Sequence, residues 1–199
     1  MNIVIIKYNA GNIESVKNAL TRIGVHAEIT ADPQKIKTAD KVIFPGVGEA
    51  GTTMQYLKSH HLDELIVSLK QPVLGICLGL QLMCSHSEEG DTPCLGIFNE
   101  RVQRFVPKSG QEFITKVPHM GWNRIYNLKT KLFSQNQETR HVYFVHSYYA
   151  GWGEHTAATC DYIVPFSAAL QKDNFFATQF HPEKSGEIGA LILQNFLKL

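Results

Sequence analysis

Cys77 lies in Gly75-Ile76-Cys77-Leu78-Gly79-Leu80-Gln81, the pattern G-x-nucleophile-x-G with a thiol at its centre. That pattern suits a sharp turn between a strand and a helix, which presents the nucleophile at the top of a sheet. The turn forces the central residue into a strained backbone conformation. Side chains at positions 75 and 79 would collide with neighbouring backbone. A helix beginning at Leu78 favours the thiolate and can aim its first backbone N–H at a developing oxyanion. Read alone, the same residues also suit a small buried hydrophobe at a strand end.

A thiol nucleophile needs a base, and the base needs an orienting group. Gln179-Phe180-His181-Pro182-Glu183 offers both. His181 follows an apolar run, Phe175–Phe180, and so sits at a strand end as Cys77 does. Parallel α/β sheets collect their sites at such ends. Pro182 is expected to hold the backbone extended, so that Glu183 reaches back, fixes the imidazole tautomer and stabilises the imidazolium. An exposed His and Glu in a loop is the competing reading of this segment alone.

The remaining candidate chemistry is sparse. Cys84 falls on a helix and reads as core, while Cys94 and Cys160 have no motif around them. No pair is spaced C-x-x-C, and a chain of this size needs no disulfide framework. The histidines are scattered, with no H-E-x-x-H, and His60-His61 reads as surface, so no metal site is expected. There is no P-loop and no convincing G-x-G-x-x-G, so no nucleotide cofactor is expected.

These residues need a scaffold, and the hydrophobic pattern supplies one. Asn2–Ile6, His26–Ile29, Lys41–Phe44 and Pro72–Cys77 read as short buried strands. Between them, Ile13, Val16, Leu20 and Ile23 recur at helical spacing, with Asn12 a candidate N-cap and Gly24 a stop. Met54 to Leu69 reads as a second helical region, and Leu78 opens a third. Strand–helix alternation over residues 1–86 predicts a parallel sheet. Beyond residue 90 the texture becomes strand and turn. Strands are predicted around Arg101–Val106, Phe113–Val117, Val142–His146, Thr156–Cys160, Ala168–Leu170 and Phe175–Phe180, and a last helix over Gly186–Leu197. One three-layer α/β domain over 1–199 with a mixed sheet is the economical reading.

The composition agrees. The 199 residues carry 19 Lys+Arg against 18 Asp+Glu, a net charge of +1, with 44% hydrophobic and 19% charged residues. This is the profile of a soluble globular domain. Near-neutral charge argues against a nucleic-acid binder and gives no electrostatic reason for a membrane-surface role. No run approaches a membrane span, and the first residues lack a basic, signal-like region. A reducing, cytoplasmic setting is the expectation.

The segments G-I-C-L-G-L-Q and F-H-P-E resemble the signatures of the class I, triad-type glutamine amidotransferases. Five further segments extend the likeness: Tyr8–Asn12, Pro45-Gly46-Val47-Gly48, Pro118–Asn123, Phe144–Tyr149 and His181–Ser185. Together they make the chain similar to one branch of that family, the glutaminase subunits of imidazole glycerol phosphate synthases in histidine biosynthesis. A paralogous branch, feeding ammonia to a synthase-like partner in cell-surface sugar amidination, stays open, as does a pyridoxal phosphate synthase glutaminase. A catalytically inactive binding module is the reading from another class.

The resemblance implies a flavodoxin-like three-layer α/β/α fold with a mixed central sheet. It implies that Cys77 attacks the side-chain amide of glutamine, that His181 protonates the leaving ammonia, and that water hydrolyses the thioester to glutamate. It places Gln81 and the backbone of His146, Ser147 and Tyr148 on the glutamine, and assigns the oxyanion hole to Leu78 and to Val47 between Gly46 and Gly48. Glycines on either side would leave the Val47 peptide free to rotate, and in the family this loop keeps the hole closed until the partner is loaded. An ordinary glycine-rich turn is the plainer use of the same residues. The implied partner is a TIM-barrel synthase (cyclase) subunit in a heterodimer, with Lys184, Trp122 and Asn12 on the interface side and Lys184 bridging to an aspartate. Trp122 suits an interface or the core, and the same holds for Tyr148 and Tyr149. No cofactor, metal, nucleic acid or membrane is implied.

Overall fold

The computed structural model describes residues 1–8, 11–107, 109–110, 115–133 and 141–199. The first strands are short and β-branched, as buried parallel strands require. They are β1 (Ile3–Ile6), β2 (Glu28–Thr30), β3 (Lys41–Gly46) and β4 (Val73–Cys77). Between and after them run α1 (Ile13–Arg22), α2 (Pro33–Thr38), α3 (Ala50–Ser59), α4 (Leu62–Ser68) and α5 (Leu78–Met83). The second half adds β5 (His86–Ser87), β6 (Thr92–Pro93), β7 (Arg101–Arg104), β8 (His119–Arg124), β9 (His141–His146), β10 (Tyr148–Ala150), β11 (Thr156–Asp161), β12 (Pro165–Lys172) and β13 (Phe175–Thr178), and ends in α6 (Gly186–Leu197).

The main sheet has the order β11-β12-β13-β4-β3-β1-β2. Five strands from β2 to β13 run parallel, and β12 and β11 complete the sheet antiparallel. Alternation along each strand divides the core into layers. Ile3 and Ile5 face α1 and α6, packing with Val16, Leu20, Leu193 and Phe196. Val4 and Ile6 face the other side, with Ile36 of α2, Leu57 of α3, Leu65 of α4 and Leu82 of α5. This is a three-layer α/β/α fold with a mixed sheet. A third cluster, around Phe105, Phe144 and Phe166, closes the β8–β9 ribbon over the antiparallel end.

Several elements differ from the sequence expectation. The helical region over 54–69 is two helices, because His60 and His61 leave helical geometry and His61 takes φ 55°. The short α2 escapes a periodicity search but has its own start signal: Asp32 accepts from the Gln34 and Lys35 amides, and Pro33 opens the helix. His119–Arg124, outside the predicted strands, forms β8. Of the predicted strand 113–117, residues 113 and 114 lie outside the described residues and 115–117 are not strand.

What matters for function is the register at one end of the sheet. Gly46 pairs with Cys77, and Ile76 pairs with Thr178. The carboxyl ends of β3, β4 and β13 therefore converge on one spot.

Candidate active site

Cys77 is the hinge between β4 and α5 and holds φ 54°, ψ −107°. A non-glycine residue there stores about 1–3 kcal/mol. The neighbouring glycines explain how the turn closes. A Cβ at Gly79 would lie 2.1 Å from the Phe44 carbonyl oxygen, and one at Gly75 would lie 2.9 Å from Met83 Sδ. Helix α5 thus lies directly against the strands, and Leu78 presents its backbone at the helix start beside the thiol.

His181 is extended, as a residue before proline should be. Pro182 does not extend the chain further; it opens a single 3-10 turn over Pro182–Lys184. That turn, not extended backbone, swings Glu183 back so that Oε1 lies 2.6 Å from His181 Nδ1. Both side chains are buried. Asn12 sits at the N-cap position of α1 but its side chain does not cap the helix. Its Nδ2 instead donates to Glu183 Oε1 at 2.5 Å, fixing the carboxylate that fixes the imidazole. His181 Nε2 is buried and meets no hydrogen-bond partner among the described residues, and the Cys77 thiol acts on the ring. Burial lowers the imidazole pKa, but Cys77 and then Glu183 outweigh it and raise it to about 10. An imidazolium beside a thiol stabilises the thiolate, so the line Cys77–His181–Glu183 has the geometry and charge order for nucleophilic attack.

Cys77 and His181 open into a cavity of about 320 Å³. Val47, Gly48 and Leu78 line it, as do Gln81, His146, Ser147 and Tyr148. Gln81 is buried, and its Nε2 donates to the Tyr148 carbonyl at 2.8 Å. His146 turns its ring into the wall: Nδ1 donates to the Tyr148 carbonyl at 2.7 Å and Nε2 meets His119 Nδ1 at 3.1 Å. Glu89 also lines the cavity, a residue the sequence reading missed because Glu88-Glu89-Gly90-Asp91 looks like a solvated turn. Burial raises its pKa, and its Oε2 accepts from the Ala50 amide at 2.8 Å. Gln179 went unassigned too, although it stands within the quoted Gln179–Glu183 segment.

The Pro45–Gly48 loop is pinned at both ends. The Tyr8 hydroxyl donates to the Pro45 carbonyl. Burial, then the Cys77 charge, raises the Tyr8 pKa, so it stays a donor. Gly46 ends β3 in a crowded spot, where a Cβ would lie 2.7 Å from Tyr8 Oη and 2.8 Å from the Gly79 nitrogen. It is glycine for close approach, not for rotation. Gly48, at φ 125°, is the position that needs conformational freedom. Beyond it, Glu49 caps α3 by accepting from Gly51 and Thr52 at 2.9 and 2.7 Å.

Trp122 and Met120 point outward from β8, at 55% and 64% exposed. The Trp122 ring stands 6.0 Å from Tyr143, and Lys184 Nζ lies 5.9 Å over that tyrosine. Lys184 also lines the cavity, so the outward aromatic patch is continuous with the pocket. Tyr149 belongs to the core instead, stacked on Phe105 at 4.3 Å. His60 and His61 are exposed, and no group of metal-ligating side chains occurs among the described residues.

Comparison with known proteins fits this geometry. The family model for class-I glutamine amidotransferases matches residues 4–199. Imidazole glycerol phosphate synthase subunit HisH of Bacteroides thetaiotaomicron is 61% identical over 199 residues, covering all of both chains. The HisH subunit of Escherichia coli K12 is 43% identical, again covering all of both. A solved glutamine amidotransferase structure superposes with a TM-score of 0.73 at 17% identity, covering 98% of this chain and 97% of the other, and so shares its fold. With a family match across nearly the whole length and full-length relatives of this identity, the chain belongs to the class-I glutamine amidotransferases.

Proposed function

We propose that the chain is the glutaminase subunit of imidazole glycerol phosphate synthase. The observation that carries the reading is the Cys77–His181–Glu183 line opening into a small cavity that Gln81, Glu89 and Ser147 also line. Cys77 attacks the side-chain amide carbon of glutamine, and the tetrahedral oxyanion takes the backbone N–H groups of Leu78 and of the Val47–Gly48 loop. His181 gives its proton to the departing ammonia, then draws one from the water that cleaves the γ-glutamyl thioester. Glutamate leaves, and the thiolate is restored. The substrate's α-ammonium suits the Glu89 carboxylate, and Gln81, His146, Ser147 and Tyr148 line the same cavity around the rest of the molecule.

Ammonia then passes to a synthase subunit, a TIM barrel forming a heterodimer with this chain, which makes imidazole glycerol phosphate and an aminoimidazole carboxamide ribotide. Free ammonia would be protonated at neutral pH, which favours a direct passage. Trp122, Lys184 and the patch beside the pocket are the docking side of this reading, and Asn12 links that side to the triad through Glu183. The full-length relatives carry the name of this synthase subunit, so the sugar-amidination alternative is not favoured. A cytoplasmic setting belongs to the same reading; among the described residues no helix is long and apolar enough to cross a membrane.

The test is glutamate release and ammonia transfer, measured with and without the synthase subunit and its phosphorylated ribulosyl ligand. Slow hydrolysis alone and fast, coupled hydrolysis in the loaded complex are expected. Full activity of the single chain would remove the gated oxyanion loop, and absence of transfer to that ligand would remove the partner assignment.

A further inference from the structure

Gln179 is completely buried, two residues before His181, and the chemistry above does not use it. Its two polar ends meet Gln81 and Cys77. Hydrogen-bond logic decides which end meets which. The Tyr148 carbonyl can only accept, so Gln81 must turn its amide nitrogen toward it, at 2.8 Å. The same nitrogen lies 3.1 Å from Gln179, which must therefore present Oε1 there. Nε2 of Gln179 is then left facing Cys77 Sγ at 3.7 Å, within reach of the large sulfur atom.

We propose that Gln179 is a positioning residue for the nucleophile, donating an N–H to the Cys77 sulfur while its carbonyl locks Gln81. A hydrogen bond to a charged acceptor is stronger than one to a neutral acceptor. The contact therefore favours the thiolate over the thiol, and it holds the sulfur on the cavity side. A neutral donor does this without adding a second cation that would compete with His181. The thiol has its own arrangement, with Sγ donating to the Val145 carbonyl at 3.9 Å. When Sγ gives up its proton, that bond is lost and the Gln179 bond strengthens. The Gln81 half of the proposal rests on the glutaminase reading; the sulfur half does not.

The test uses the full chain with Gln179→Glu and Gln179→Met. Glutamate keeps the shape and the acceptor toward Gln81 but removes the N–H from the sulfur; methionine removes both. Iodoacetamide alkylation of Cys77 is followed against pH, with Cys77→Ala as the blank for the other three thiols. Gln179→Met should move the alkylation midpoint upward by about one pH unit, the value of one charge-assisted hydrogen bond, and Gln179→Glu, which adds a like charge beside the sulfur, should move it further. In the complex, kcat for glutamine should fall roughly tenfold in both, while KM rises mainly in Gln179→Met. An unmoved midpoint in a variant with wild-type circular dichroism overturns the proposal, even if KM changes. The wild-type chain gives a reading that needs no variant. Its Gln179 side-chain amide resonances should titrate with the Cys77 alkylation midpoint, and resonances that do not titrate with it also overturn the proposal.

Discussion

At Cys77 the backbone holds a conformation that a residue with a Cβ resists, and on the glutaminase reading the residue remains because only a side chain can be the nucleophile. This inverts an ordinary rule. Cys77→Gly should be more stable than Cys77→Ala by about 1 kcal/mol, since glycine relieves the positive φ. Urea unfolding of the two variants checks this, and a more stable alanine variant would mean the turn is not strained. Both should lose glutamine hydrolysis, because neither has a thiol. Asn12 gives a second residue-scale prediction. Among the described residues, its amide holds Glu183 Oε1 together with His181. Asn12→Ala should lower kcat about tenfold while leaving the melting temperature nearly unchanged, as loss of one charge-assisted bond implies. An unchanged kcat in the synthase complex would reduce Asn12 to a bystander. The placement of Cys77, His181 and Glu183 together was legible in the sequence because each half of it is local: Cys77 between its glycines, Glu183 two residues from His181. Asn12 was not legible as their partner, being 171 residues from Glu183 and placed where a helix cap was the natural expectation.

Elements hold these residues through contacts too tight or too polar for pattern reading. The α5–β3 seam is the tight case. Gly79→Ala would push a methyl into the Phe44 carbonyl, and an overpacked, backbone-facing clash of that kind costs about 3 kcal/mol or more. Thermal melting should fall by roughly 6–12 °C for a chain of this size; a shift within experimental error would show that α5 can slide. The β8–β9 ribbon is the polar case. His146 Nδ1 donates to the Tyr148 carbonyl, leaving Nε2 to accept from His119 Nδ1, whose own Nε2 accepts from Asn123. The chain works only with both rings neutral. Burial lowers the His119 pKa to about 4; burial, then the charges of His119 and His181, lowers that of His146 to about 3 against its Tyr148 bond. Between those values and the ordinary 6.5, the unfolded chain binds more protons than the folded one. The stabilisation is therefore complete above about pH 6.5 and is lost as pH falls toward 4 and 3. His181 runs the other way, its contribution complete below about 6.5 and lost as pH rises toward 10. Stability measured by urea should decline on both sides of neutrality, and His119→Gln should flatten the acid limb by about one proton. An acid limb of unchanged slope would show that His119 does not titrate there. The parallel half of the fold was legible because buried strands and amphipathic helices alternate cleanly. The ribbon was not, because β8 is His-Met-Gly-Trp-Asn-Arg, in which the outward residues Met120 and Trp122 are the apolar ones and the inward His119 is polar.

That inverted pattern is an argument about the whole molecule. A strand that turns Met120 and Trp122 to solvent, beside Tyr143 and Lys184 at the pocket, makes sense when another surface covers it. The near-zero net charge fits such a molecule, since its substrate is a zwitterion and the phosphorylated ligand belongs to the other subunit on this reading. Trp122 is the anchor to test. Trp122→Ala should weaken the synthase complex by about 2 kcal/mol, roughly 30-fold in Kd, in line with a buried interface tryptophan. Lys184→Met removes the cation over Tyr143 without shortening the side chain's apolar part, so it should spare most of the affinity and lower ammonia transfer relative to glutamate formed. The two outcomes separate docking from coupling. Titration calorimetry reads the first, and the ratio of transferred ammonia to glutamate reads the second. Cys77 alkylation in each variant shows that the triad is intact. If Trp122→Ala binds as tightly as the wild type, the outward face of β8 is not the docking surface; if Lys184→Met transfers ammonia as completely, the lysine is a rim charge and no more.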